Sequence, residues 1–319
     1  FGGALVPAHA DENGDIVYIY NEPFIEAGMS LPTVNAIAKE LRMVGKGNAE
    51  RFNEMTADGT DFGHIAYPVY VFSRQRWATA TTIQLLEKSR VNFHLVVPAE
   101  DAKYYEENFP TIDIIMLPKK VKTIREARQY VFEISKEEGT PYVWMLDDDI
   151  EVIHEKEKET TARAFMSTAE QFAEDYSNIC LLGAGSPENQ KAFTVNTSVH
   201  GMLLVNLNTG NDFSECPELY STEAFALSNL ANGFVSVSLN NYVLWYSQVQ
   251  FGGGSSHLYN QINLQRECAE TIAKNYPLFA SVEDMPKPLG GQLVIDWNSI
   301  NVPLKSRNVE YLMKEGRHG

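Results

Sequence analysis

Trp144-Met145-Leu146-Asp147-Asp148-Asp149-Ile150 is the stretch on which the fold turns. An apolar run that stops on three adjacent carboxylates reads as a buried strand whose carboxyl end carries chemistry. Like charges this close raise one another's proton affinity unless a cation compensates. Hard oxygen donors in that position suit Mg²⁺ or Mn²⁺, above all when phosphates complete the coordination shell. The plainer reading is an acidic loop in which Asp148 or Asp149 caps the next segment.

Upstream of this strand the pattern is regular. β-rich runs cover 68–72, 92–97 and 112–117, and helical spacing covers 79–88, 101–108 and 124–137. The alternation β-α-β-α-β-α-β with short loops predicts an α/β fold, a parallel sheet covered by helices. Ligands of such sheets bind outside the carboxyl ends of the strands. The polar residues that follow each strand, at 73–76, 98–101, 118–122 and 147–149, therefore mark the expected active face. Downstream, helices are expected over 165–175, 222–231 and 264–275, and strands over 179–183, 202–205, 234–239 and 242–246. Residues 252–256 read as a glycine-rich loop. At the other end, 16–20 reads as a strand, 31–44 as an amphipathic helix and 45–61 as a polar loop.

Composition narrows the class. Of 319 residues, 44% are hydrophobic and 21% charged, which excludes a wholly disordered chain. Lys and Arg number 26 against 42 Asp and Glu, a net charge of -16. That excludes a broadly basic nucleic-acid coat but not a local basic patch, and Lys119-Lys120-Val121-Lys122 is the densest candidate. The cysteines Cys180, Cys216 and Cys268 form no CxxC pair. Neither a disulfide framework nor a zinc site is expected, and a reducing, cytoplasmic setting fits. No apolar run approaches the roughly 18 residues a membrane helix needs. Phe1-Gly2-Gly3 is no signal peptide, and the start on Phe rather than Met is expected to follow a missing upstream segment.

An apolar strand followed by Asp-x-Asp, some way after a first βα unit, resembles the GT-A glycosyltransferases. The combination of Ser73-Arg74-Gln75-Arg76-Trp77, Val96-Val97-Pro98-Ala99-Glu100 and Leu146-Asp147-Asp148-Asp149-Ile150 resembles more narrowly the TET-associated glycosyltransferases, a family linked to phage enzymes that glycosylate hydroxymethylated pyrimidines in DNA. The resemblance covers about residues 68–260. It implies a GT-A, Rossmann-like fold with a mixed, mostly parallel central sheet. The implied organisation is an N-terminal embellishment over 1–60, a GT-A domain over 61–275 and a C-terminal extension over 276–319. Within the domain, 61–150 would be the donor-binding half and 151–275 the acceptor half.

The same resemblance implies roles. Ser73, Arg74, Pro98 and Glu100 would lie near the nucleoside of a UDP-sugar donor. Arg125 and Arg128, three apart on one helix face, would pair with its diphosphate. Asp147 would contact the ribose or the Mn²⁺ or Mg²⁺ ion, Asp149 would be the principal metal ligand, and Asp148 is ambiguous. His257 resembles a late metal-ligating His, with His200 competing for that role or facing the acceptor. Glu223 would be the catalytic base, with Glu218 and Glu215 behind it; Ala224 stands where the family pattern has Asp. Lys119, Lys120 and Lys122 would clamp an acidic acceptor such as DNA. The aromatics Trp77, Tyr104 and Tyr105 would either pack or stack on a base.

Other readings fit parts of the pattern. The acceptor could equally be a protein or a glycan, which suits the acidic charge better than duplex DNA does. A nucleotidyltransferase or phosphatase also puts Asp-x-Asp on a strand end, although a haloacid-type phosphatase would want its nucleophilic Asp after the first strand. A non-catalytic binding module with the same fold is the remaining alternative. Neither the sugar nor the oligomeric state is readable from the sequence.

Overall fold

The computed structural model describes residues 6–10, 16–19, 65–186, 191–247, 258, 261, 263–285 and 290–307. The chain divides between Phe62 and Gly63 into two compact units. In the first, Val6–Ala10 (β1) pairs antiparallel with Ile16–Ile19 (β2). The helix expected over 31–44 lies outside the described residues.

The second unit is built on a ten-stranded mixed sheet. Val69–Phe72 (β3), His94–Pro98 (β4), Asp113–Leu117 (β5) and Tyr142–Asp147 (β6) are joined by the helices Thr81–Lys88 (α1), Ala102–Asn108 (α2) and Ile124–Glu137 (α3). They lie in the order β5-β4-β3-β6 and every pairing is parallel. β3 and β6 have helices over both faces, so both are continuous apolar runs rather than alternating ones. Trp144 and Leu146 of β6 join one apolar layer, with Ile83, Leu86, Phe165 and Met166. Val143 and Met145 join the other, with Val131, Phe132 and Phe225. That split follows from the two-residue period of a strand, and each such side chain contributes about 1.5–3 kcal/mol by leaving water.

The chain then continues through Ile150–Glu155 (β7), Lys158–Thr160 (β8), Ala162–Asp175 (α4), Ile179–Gly185 (β9), Phe193–Val195 (β10) and Met202–Asn206 (β11). Ser221–Leu230 (α5), Val235–Tyr246 (β12), Leu264–Asn275 (α6), Ala280–Asp284 (β13) and Gly291–Ile295 (β14) follow. The sheet runs on as β6-β11-β9-β12-β7-β8, with β10 also on β12. β9 and β12 are parallel, and the other pairings of this half are antiparallel. A ribbon of β13 and β14 packs on α6.

Two local devices fix the half that matters. Thr123 and Glu126 form a reciprocal capping box at the start of α3, the Thr hydroxyl accepting from the Glu126 N–H and the Glu carboxylate from the Thr123 N–H. This sets the helix that carries Arg125 and Arg128. Glu170 on α4 is buried and accepts from the Ala66 and Tyr67 N–H groups and from Trp144 Nε1, at 2.8, 3.3 and 2.9 Å. It ties the segment entering β3 to the core of β6.

The structure departs from the sequence reading at several elements. The run after the three aspartates, to which the sequence reading gave no element, is a strand, β7. β12 is one strand of 12 residues where two were expected. Its middle asparagine, Asn240, reads as a turn residue in sequence, yet it accepts from Ser238 Oγ and donates to Thr194 Oγ1 on β10, both at 2.8 Å. β8 and β13 are mostly polar, and β10 and β14 are too short to stand out.

Candidate active site

A cleft of about 710 Å³ opens at the carboxyl ends of β3, β4, β5 and β6. Phe72 and Ser73, Pro98, Leu117 and Asp147 bring one strand end each to it. α3 supplies Ala127 and Arg128, and the first turn of α5 closes the opposite wall with Ser221, Thr222 and Glu223. Of the residues singled out from sequence, Ser73, Arg74, Pro98, Lys122, Arg128, Asp147, Asp148, Asp149, His200 and Glu223 line this cleft. Glu100, Lys119, Lys120 and Arg125 do not. The first three are exposed, and the Arg125 guanidinium is held by Glu218 at 2.6 Å. His257 and the 252–256 loop lie outside the described residues.

The three aspartates have separate surroundings. Asp148 is turned inward: it accepts from Ser73 Oγ and from Arg76 Nη1, the latter at 2.7 Å, and burial pushes its carboxyl up. Ser73 in turn accepts from the Tyr105 hydroxyl at 2.6 Å, which itself accepts from the Arg76 N–H at 3.1 Å. The Ser73 hydroxyl is therefore committed within the protein as both donor and acceptor. Asp149 faces the same Arg76 Nη1 at 3.3 Å. Burial, and then the charges of Asp147 and Asp148, push its carboxyl up to about 6, against the pull of Arg76. Asp147, the most exposed of the three, accepts from Arg128 Nη2 at 3.2 Å. Arg128 Nη1 also donates to Ser221 Oγ at 3.0 Å, so this guanidinium bridges β6 and α5.

The backbone under the aspartates is pinned from both sides. Thr82 of α1 donates its hydroxyl to the Asp147 carbonyl at 2.8 Å and accepts from the Ile150 N–H at 2.9 Å. On the other side, the Asp147 N–H donates to the Gly201 carbonyl and the Ser247 N–H to the Asp149 carbonyl, both at 2.8 Å. Gly201 has a φ of +75°, and a Cβ there would come within 2.4 Å of the Tyr246 hydroxyl. A side chain at this φ would be strained and would meet Tyr246 and Leu244, so glycine suits the start of β11. Tyr246 lies close enough for Asp147 and Asp149, after burial, to raise its phenol.

Glu223 sits opposite. Its Oε2 accepts from Thr222 Oγ1 at 2.8 Å, and its Oε1 faces His200 Nε2 at 3.6 Å. Tyr220, which precedes the helix, has a φ of 63°, a strained conformation for so large a residue. Its hydroxyl, anchored by Gln265 Nε2 at 2.9 Å, holds the turn in place. No side chain caps α5, so its first N–H groups leave positive potential on the cleft wall.

Arg76 and Thr82 are the contributors that sequence reasoning passed over. Arg76 was visible within Ser-Arg-x-Arg, but nothing in the spacing says which arginine turns inward. Thr82 carries no signal, since an early threonine is ordinary in a helix. Among the described residues, no three His, Cys, Asp or Glu side chains converge as a closed cation site, and no helix is long and apolar enough to cross a membrane.

The cleft thus brings arginines and carboxylates together at the strand ends. No curated protein matches the sequence. The sequence model of one family does, TET-Associated Glycosyltransferase, over residues 67–254, a span that contains every cleft residue named above. The chain accordingly belongs to the TET-associated glycosyltransferase family, and its α/β fold is compatible with the Rossmann-like architecture of such enzymes.

Proposed function

We propose that this glycosyltransferase moves a sugar from a UDP-sugar to the hydroxymethyl group of a modified pyrimidine in DNA. The observation that carries the donor half is the cleft itself. At the carboxyl ends of four parallel strands, an apolar wall of Phe72, Val96, Leu117 and Val121 suits a nucleobase, and Arg128 and Asp147 lie beyond it. The acceptor half rests on family membership, since the family is tied by name to TET enzymes.

The residues present fit a divalent cation shared with the donor. Asp147 and Asp149 are the kind of two-carboxylate set that holds Mg²⁺ or Mn²⁺ together with substrate phosphates. Charge balance points the same way. Asp147, Asp148, Asp149, Glu218 and Glu223 line the cleft against Arg74, Arg76, Lys122 and Arg128, so a diphosphate entering alone adds like charge. When bound, the ion would neutralise charge growing on the leaving diphosphate.

The protein's own groups supply the rest. Arg128, fixed by Ser221 and Asp147, directs donors toward the diphosphate oxygens. Glu223, oriented by the Thr222 hydroxyl, takes the acceptor hydroxyl proton as that oxygen attacks the anomeric carbon. Asp148 contacts no substrate in this scheme and anchors Arg76 and Ser73. Mass spectrometry of hydroxymethylcytosine-containing DNA, incubated with a panel of UDP-sugars and Mn²⁺, tests the assignment. The expected result is added sugar mass with at least one donor. Unmodified DNA with every donor, alongside sugar transfer to a protein or glycan, would refute the acceptor and keep the donor.

A further inference from the structure

Of the three aspartates, the middle one makes the shortest contact with an arginine. Asp147 lies 3.2 Å from Arg128 and Asp149 lies 3.3 Å from Arg76, whereas Asp148 holds that same Arg76 nitrogen at 2.7 Å. The Arg76 side chain is only 10% exposed, and Asp148 is buried with Ser73 as its second donor. A guanidinium so placed keeps its position on Asp148 whether or not Asp149 stays with it. We propose that Arg76 is a positioning residue that serves as the resident counter-ion of the acidic loop: Asp149 exchanges it for the divalent cation, while Asp148 keeps the guanidinium in place.

This rests on the cation reading above and deepens it. Three adjacent carboxylates in a half-closed cleft repel one another. A fixed positive charge lets the loop hold its shape before the donor arrives. The same charge opposes an incoming cation, because both compete for one carboxylate and like charges repel across a few ångströms. The consequence is a loop that holds Mn²⁺ weakly by itself and firmly only when a diphosphate brings further oxygen ligands and negative charge. Arg128 follows the same logic on Asp147, with Ser221 rather than a carboxylate as its anchor.

The test is Mn²⁺ binding to donor-free protein, followed by the electron paramagnetic resonance of the free ion. Arg76→Met removes the charge and keeps the bulk, and should bind Mn²⁺ about tenfold tighter than the parent or more, whereas Arg76→Lys keeps the charge and should stay within about threefold of the parent. Arg76→Met leaves Asp148 buried without its ion partner, which could prevent folding. The pair Asp148→Asn and Asp148→Asn/Arg76→Met avoids this, and the double variant should bind Mn²⁺ tighter than the single one. Equal or weaker binding on removal of Arg76 would overturn the exchange. Repeating the titration with UDP present separates this failure from a deeper one. If the parent binds Mn²⁺ with UDP but loss of Arg76 gains nothing, only the exchange is wrong. If the parent binds no Mn²⁺ even with UDP, the cation reading fails and the exchange with it.

Discussion

Glu223 faces the cleft from the first turn of α5, with the Thr222 hydroxyl on one carboxylate oxygen and His200 3.6 Å from the other. Glu223→Gln keeps the shape and removes the proton-accepting oxygen. Turnover should fall by roughly 10²–10⁴-fold while UDP affinity holds. Steady-state kinetics with calorimetric UDP binding checks this, and a variant that loses UDP affinity at full turnover would make Glu223 a donor contact instead. At this scale the sequence was partly legible. An acidic residue at a strand end announced itself, but three in a row left their division of labour open. The structure separates them because β6 ends at Asp147 and β7 begins at Ile150, so Asp148 and Asp149 form the turn between. One of them then points into the protein. That choice depends on Arg76 and Ser73, which lie more than 70 positions earlier in the chain.

α1 is the element that holds this turn. Thr82 contacts the backbone at both ends of it, by hydroxyl to the Asp147 carbonyl and from the Ile150 N–H. Its own N–H donates to the Asp148 carbonyl at 3.3 Å. Thr82→Val removes the hydroxyl and keeps the branched shape, leaving two buried backbone groups without that partner. Stability should fall by about 2 kcal/mol, read by urea denaturation, and turnover by about tenfold as the aspartates lose their position. Unchanged turnover would mean that β11 and the Ser247 contact hold the turn unaided. The elements leading to the site were readable because β3, β4 and β6 are buried runs, β5 is an apolar edge strand, and helices separate them. Several of the second half, β11 and α5 among them, were legible as local runs, but their pairing was not. His200 reaches the cleft through an antiparallel pairing of β11 with β6, and long-range pairing leaves no local pattern.

At the scale of the whole molecule, charge sets the problem. The net charge is -16, yet the proposed acceptor is itself a polyanion. Lys122 lines the cleft, and Lys119 and Lys120 are exposed beside it, at the end of β5. If DNA lies across this edge, replacing all three by Ala should weaken DNA binding. It should also flatten the salt dependence by about 0.9 log units per lost phosphate contact. Hydrolysis of free UDP-sugar should barely change in the Lys119→Ala/Lys120→Ala double variant, which leaves the cleft residue Lys122 in place. Binding isotherms over a range of salt decide this, and an unaltered slope would move the DNA path to another edge of the cleft.

The central claim is that Asp147 and Asp149 bind the donor with a divalent cation at the end of β6. Release of UDP from a UDP-sugar, followed with Mn²⁺, with EDTA and in Asp149→Asn, tests it most directly. The account predicts release with Mn²⁺, loss in EDTA that added Mn²⁺ reverses, and a fall of about a thousandfold or more in the variant. Release at the parent rate in EDTA and in Asp149→Asn would contradict it.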